Sequence, residues 1–93
     1  MTMDIALEIT IACNEQEKKH RALFKRWIKS DIPLIPGVYI RCDPFSEGRK
    51  ATRIDIDYTD NSYHISLGEY ELASEMAYQD FKKMLNHHWE ESS

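Results

Sequence analysis

The chain has 93 residues, 42% of them apolar and 30% charged, with a formal net charge of −4 at pH 7. That is one small soluble domain with no room for a second core, and few glycines and prolines argue against a disordered chain. The acidic balance disfavours generic nucleic-acid binding, which needs many phosphates neutralised, and no apolar run approaches the ~20 residues of a membrane helix. The N-terminus does not read as a signal peptide, because Asp4 and Glu8 interrupt its apolar run. With only Cys13 and Cys42, a cytoplasmic protein with reduced thiols is expected.

The first element is "IALEITIA", residues 5–12, where Ile5, Leu7, Ile9 and Ile11 alternate with Ala6, Glu8, Thr10 and Ala12. Period two predicts a strand with one buried face. Asn14 fits a helix N-cap and Glu17 the matching capping-box position. The spacing then predicts a helix from about Glu15 to Lys29, with Leu23, Phe24, Trp27 and Ile28 as its apolar stripe. Asp31 to Pro36 reads as a connector, "GVYIRC" (37–42) as a strand, and "DPFSEGRK" (43–50) as a polar loop.

"ATRIDIDY" and "SYHISL" alternate on either side of Asp60-Asn61, the best hairpin signal in the chain. Gly68 reads as the end of that strand, and a second helix is expected from about Tyr70 to Trp89. Its apolar side is Ala73, Met76, Ala77, Phe81, Met84, Leu85 and His88. The expected fold is α+β over residues 1–93, a two-layer sandwich in the order β-α-β-β-β-α. Two helices would cover one face of a four-stranded mixed sheet. The first and second strands could then be parallel neighbours, and the other sheet face, with Glu8, Thr10, Tyr39, Arg41, Arg53, Asp55, Asp57 and His64, could be solvated.

Catalytic and metal chemistry are not expected. The cysteines lack zinc-site spacing, and His87 and His88 point about 100° apart on a helix. Cys13 with His20 or His64 is the one imaginable nucleophile–base pair, and Asp55 with Asp57 the one pair of carboxylates on a strand face. No glycine-rich phosphate loop occurs, so no cofactor is expected.

Charge is segregated along the chain. Lys18, Lys19, Arg21, Lys25, Arg26 and Lys29 fall within residues 18–29, whereas residues 54–81 hold seven acids and neither Lys nor Arg. The basic stretch reads as a solvated helix face, or as a contact for an acidic protein surface or for nucleic acid, the latter using Lys18, Lys19, Lys25, Arg26 and Lys29. On a helix, Phe24 and Trp27 would fall on the core stripe, so no aromatic would interleave with those charges for base stacking. The acidic stretch reads as solvated surface or as a contact for a basic partner, with Tyr70, Tyr78 and Trp89 near its edges.

Three segments together resemble the DinI-like family of small DNA-damage-inducible bacterial and prophage proteins: the strand ending "EITIA", the stretch "LFKRWIKSDIPLIPGVYIR", and "MLNHHWEES" closing the last helix. The segment from Cys42 to Thr59 is longer than its counterpart in that family and implies an extra strand. The resemblance implies a protein that binds RecA and modulates its filament on single-stranded DNA in the SOS response, through an acidic last helix. Trp89, Glu90 and Glu91 match that motif position by position. Glu71, Glu75 and Asp80 join them by charge and helical phase.

The resulting expectation is a non-enzymatic cytoplasmic regulator that binds a protein partner through an acidic C-terminal helix. Two other readings share the sequence: a phage- or plasmid-encoded inhibitor, such as an anti-defence or immunity protein, and a nucleic-acid-binding module. An uncovered strand edge would be a site for pairing with a second copy.

Overall fold

The computed structural model describes residues 3–15, 18–31, 37–42 and 44–92, without the side chains of residues 15, 18 and 46. The chain runs β1 (Met3–Glu15), β2 (Lys18–Ser30), β3 (Tyr39–Cys42), β4 (Phe45–Lys50), β5 (Arg53–Asp57), β6 (Ser62–Leu72), α1 (Glu75–Leu85) and β7 (Glu90–Glu91). Five strands form one mixed sheet in the order β5-β6-β1-β2-β7, and β3 and β4 form a separate two-stranded ribbon. This corrects the expected fold class: one short helix and the ribbon, not two helices, lie over one face of a five-stranded sheet.

The alternating opening segment is a strand, as expected, and it is central. Ile5, Leu7, Ile9, Ile11 and Cys13 are all at most 1% exposed. The expected first helix is instead β2, antiparallel to β1 along its whole length from Met3↔Ser30 to Glu15↔Lys18. The reason lies in two periodicities that coexist in residues 18–30. Leu23-Phe24 and Trp27-Ile28 satisfy a helical stripe, but His20, Ala22, Phe24 and Ile28 also recur at every second or fourth residue. Pairing with β1 lines that second set up against Cys13, Ile11, Ile9 and Ile5. Burial against an existing apolar face outweighs helix propensity, which spans only about 0.7 kcal/mol per ordinary residue. Asn14, read as a helix cap, is therefore a strand residue; Glu17 and the Pro33–Pro36 connector lie outside the described residues.

The parallel pair of the sheet is β1 with β6, not β1 with the strand at residues 39–42. The hairpin of β5 and β6 forms as expected, with Asn61 at φ 54 in its turn. Gly68 does not end the strand. It sits in a β-bulge, at φ +82, where the register against β1 shifts between Glu8 and Thr10. The extra residue resets the alternation, so that Leu67 before it and Tyr70 and Leu72 after it all join the core.

The stretch read as a polar loop is mostly strand β4, and Arg49 explains how the ribbon docks. Its guanidinium donates to the Leu67 carbonyl (Nε 3.3 Å, Nη2 3.2 Å) and to the Glu69 carbonyl (3.1 Å), on either side of the bulge. The same group lies 5.3 Å from the Tyr70 ring centroid and 5.9 Å from that of Phe45. Phe45, Tyr70, Phe81 and Trp89 pack as an aromatic cluster beneath it, with Tyr70 and Phe81 stacked at 5.0 Å.

The last helix is shorter than expected and rotated. Ser74 caps it, accepting from the Ala77 amide at 3.1 Å, and Lys82 and Lys83 occupy its last turn, where the helix dipole favours cations. Tyr78, Phe81 and Leu85 turn inward, whereas Met76 and Met84, expected inside, are 76% and 44% exposed. Tyr78 stacks on His20 of β2 at 5.2 Å. Burial pushes its hydroxyl above the ordinary tyrosine pKa, with Lys82 opposing and Glu91 and Cys13 adding to the shift.

Candidate functional site

Because α1 and the ribbon cover one face of the sheet, the opposite face stays open, and strand alternation dictates what stands on it. β2 contributes Lys19, Arg21, Leu23, Lys25, Trp27 and Lys29; β1 contributes Asp4, Ala6, Glu8, Thr10 and Ala12. β6 adds Ser62, His64, Ser66, Glu69 and Glu71, and β5 adds Arg53, Asp55 and Asp57. The face is therefore basic along β2 and mainly acidic along β5 and β6, with short residues between. Arg21 spans that gap and donates to Glu69 at 3.0 Å.

One cross-sheet row reads Trp27, Ala6, His64, Asp55. Over the small Ala6, the rings of Trp27 and His64 meet edge to face at 5.8 Å, and Ala6 is sealed from solvent while Trp27 stays 49% exposed. Lys25 Nζ lies 5.9 Å from the Trp27 ring and 3.6 Å from Glu8 Oε1. His64 Nδ1 lies 3.0 Å from the same Glu8 oxygen, and its Nε2 is 3.3 Å from the Ser62 hydroxyl. Ser62, 2% exposed, donates in turn to Asp60. Glu8, His64, Ser62 and Asp60 thus form a continuous polar chain from the middle of the sheet to the β5–β6 turn. The ligand atoms of Asp57, Asp60 and His64 lie within 4.8 Å of one another, so these three could hold a metal ion.

The structure brings together only part of each expected residue set. Lys19, Lys25 and Lys29 share the open face, and Arg21 joins them. Arg26 points to the covered side opposite Leu7, where its Nη1 is buried without a hydrogen-bond partner. Lys18 begins β2, with its side chain outside the described residues. Of the acidic set, Glu71 stands on the open face opposite Ala12, and Asp80 is exposed on α1. Glu75 opens α1, 3.4 Å from His20 Nε2. Glu90 pairs with Lys25 across β7. Glu91 sits opposite Phe24, with its carboxylate 3.3 Å from Lys82. Trp89 is 3% exposed and belongs to the core.

Trp27 is the feature that helical reasoning placed in the core. Reading "KKHRALFKRWIKS" at period two would have set it among the basic residues. The His64 chain was legible only as the spacing Asp60-x-Ser62-x-His64, from the turn into one face of β6, because its other member, Glu8, comes from a distant part of the sequence. No family model, curated protein or solved structure matches the chain, so the geometry of this face is what a functional reading rests on. No helix among the described residues is long and apolar enough to cross a membrane.

Proposed function

We propose that the chain is a non-enzymatic binding module that meets a protein partner across the open face of its sheet. The observation that carries this reading is Trp27, half exposed and held edge-on by His64, on a face basic at one side and acidic at the other. Protein interfaces favour such an arrangement, with a rigid aromatic anchor and arginine near the centre and charges at the rim that orient the partner. The partner would carry the complementary pattern, acidic toward β2 and basic toward β5 and β6. RecA-filament modulation, implied by the DinI-like resemblance, belongs to this class. So does inhibition of another nucleic-acid-handling protein by a phage- or plasmid-encoded factor. Both place the protein in the cytoplasm, where reduced cysteines are the rule.

A second reading gains from the same strand. Lys19, Arg21, Lys25 and Lys29 recur on one face about every 6–7 Å or its multiple, with Trp27 among them. That supplies the interleaved aromatic which single-stranded nucleic acid uses for stacking. Against it, Arg21 and Lys25 already face Glu69 and Glu8.

The test is binding of the purified chain to RecA filaments by biolayer interferometry, beside binding to labelled single-stranded DNA by anisotropy at 50 and 200 mM salt. Saturable filament binding that weakens at least about thirtyfold in Trp27→Ala, as truncation of a hot spot costing about 2 kcal/mol or more would, supports the regulator. DNA binding that falls steeply with salt and is lost in Trp27→Ala replaces it with the second reading.

A further inference from the structure

We propose that Asp57, Asp60 and His64 form a site for a divalent transition cation, with Zn2+ as the probe, at the turn end of the β5–β6 hairpin. Their ligand atoms lie within 4.8 Å of one another. The half-buried carboxylate of Asp57 and the exposed one of Asp60 would by themselves be only surface acids at the end of a hairpin. What distinguishes this cluster is the imidazole and the way a third strand holds it.

His64 Nδ1 lies 3.0 Å from Glu8 Oε1, on β1 rather than on the hairpin. A carboxylate accepts only, so Nδ1 carries the hydrogen, and in the neutral ring Nε2 is left with its lone pair. Nε2 is on the side of Ser62 and Asp60. The Ser62 hydroxyl has one proton, and it goes to Asp60. The Asp57 carboxylate receives the Thr59 amide at 2.8 Å through one oxygen. In the neutral ring donors are thus outnumbered, and a nitrogen lone pair and two carboxylates converge where a cation would satisfy all three.

The same arrangement is how metal-binding histidines are usually oriented: the ring nitrogen away from the ion donates to a carboxylate, which fixes the tautomer and raises the basicity of the ligand. Glu8 fills that role, and it is steadied in turn by Lys25 at 3.6 Å. One nitrogen and two carboxylate oxygens suit zinc or manganese better than calcium or magnesium, and water would complete the coordination. A proton on Nε2 is the competing occupant: it would make His64 an imidazolium between Glu8 and Asp60 and exclude the metal.

Calorimetric titration of the full chain with ZnCl2, in reducing buffer free of chelators, is expected to show one saturable site. Asp60→Asn and His64→Gln should each abolish it or weaken it by well over tenfold. Glu8→Gln, which removes only the carboxylate orienting the ring, should weaken it about tenfold, as losses in an outer shell do. Replacing His87 and His88 together should leave it unchanged. Because His64 and Ser62 also hold strands together, the unsubstituted protein gives an independent readout: sub-stoichiometric Mn2+ should broaden the amide signals of residues 57–64 before others. Absence of saturable uptake, uptake indifferent to Asp60→Asn and His64→Gln, or broadening centred on His87 and His88 would overturn the assignment.

Discussion

The two faces of β2 are made from one stretch of thirteen residues, yet they have almost nothing in common. On the covered side, Phe24 is fully buried against β1 and Ala22 nearly so. On the open side, Trp27 is half exposed, and Arg21 and Lys25 reach carboxylates of neighbouring strands. The comparison teaches that a large aromatic residue has no fixed role in such a strand. Parity relative to the partner strand decides whether it stabilises the fold or is left for a partner. The same division explains why the residues that hold the molecule together and those proposed to contact other molecules hardly overlap.

Substitutions on the two faces should therefore differ sharply. The largest effect is expected at Phe24. Truncation to alanine should cost about 3–5 kcal/mol, most of the stability of a domain this small, and would appear as a collapse of the urea midpoint. An effect under about 1 kcal/mol would mean that β2 does not pack as described and would break the comparison at its root.

Next comes Arg49, which ties the ribbon to the covered face through the carbonyls beside the bulge. Arg49→Ala should cost about 1–3 kcal/mol, because the Leu67 and Glu69 carbonyls lose their charged donor. It should also deprotect amides of β3 and β4 in hydrogen exchange before those of β1. Gly68→Ala probes the same place through the backbone. At φ +82 an L side chain costs about 1–2 kcal/mol, and the Cβ itself would meet only ordinary contacts at 3.7 Å with Arg49 and Thr52. Denaturation of both variants separates docking from strain.

Trp27→Ala sharpens the comparison from the other side. It should change stability by no more than about 1 kcal/mol, since Trp27 is exposed and its ring contacts are at the surface, while weakening partner binding at least about thirtyfold as set out above. The smallest effect at neutral pH is expected from Tyr78→Phe. The buried hydroxyl of Tyr78 is harder to ionise in the folded chain than in the unfolded one. Its contribution is therefore fully present below the unfolded tyrosine pKa of about 10 and is lost as pH rises through the folded value. Urea midpoints measured from pH 8 to pH 11 should fall less steeply for Tyr78→Phe than for the parent chain.

Much of the architecture was legible where only one periodicity was available. Residues 5–12 alternate and nothing else, and they form the central strand. The Asp60-Asn61 turn offers residues that tolerate left-handed geometry, and the hairpin forms there. Residues 18–30 were misread because two periods fit, and a local stretch contains no information about which apolar face it will be laid against. Gly68 was misread for a related reason. A glycine inside a strand pattern signals either an end or a bulge, and only the register of β1 beside it distinguishes them.

The candidate surface followed the fold. Glu8, Arg53, Asp55, Asp57 and His64 were placed correctly on a solvated sheet face, because the strands that carry them were. Trp27, Lys19, Arg21, Lys25 and Lys29 reached that face only once the helix became a strand. Glu71, Glu75 and Asp80 are grouped by charge and helical phase, and Glu90 and Glu91 by the resemblance, but Glu71 lies in β6 and Glu90 and Glu91 in β7, so the acidic set spreads over several surfaces.

By itself, then, the amino-acid order determined the buried parity of β1, the hairpin of β5 and β6, and the segregation of charge along the chain. These depend on spacing within a few residues, or on side chains reaching their own backbone. Tertiary structure alone decided that residues 18–30 are a strand, that β6 runs through Gly68 and lies parallel to β1, and that Glu8 meets His64. Each of these is a contact between segments far apart in the chain, and its free energy comes from burying surface or pairing groups that no local window contains.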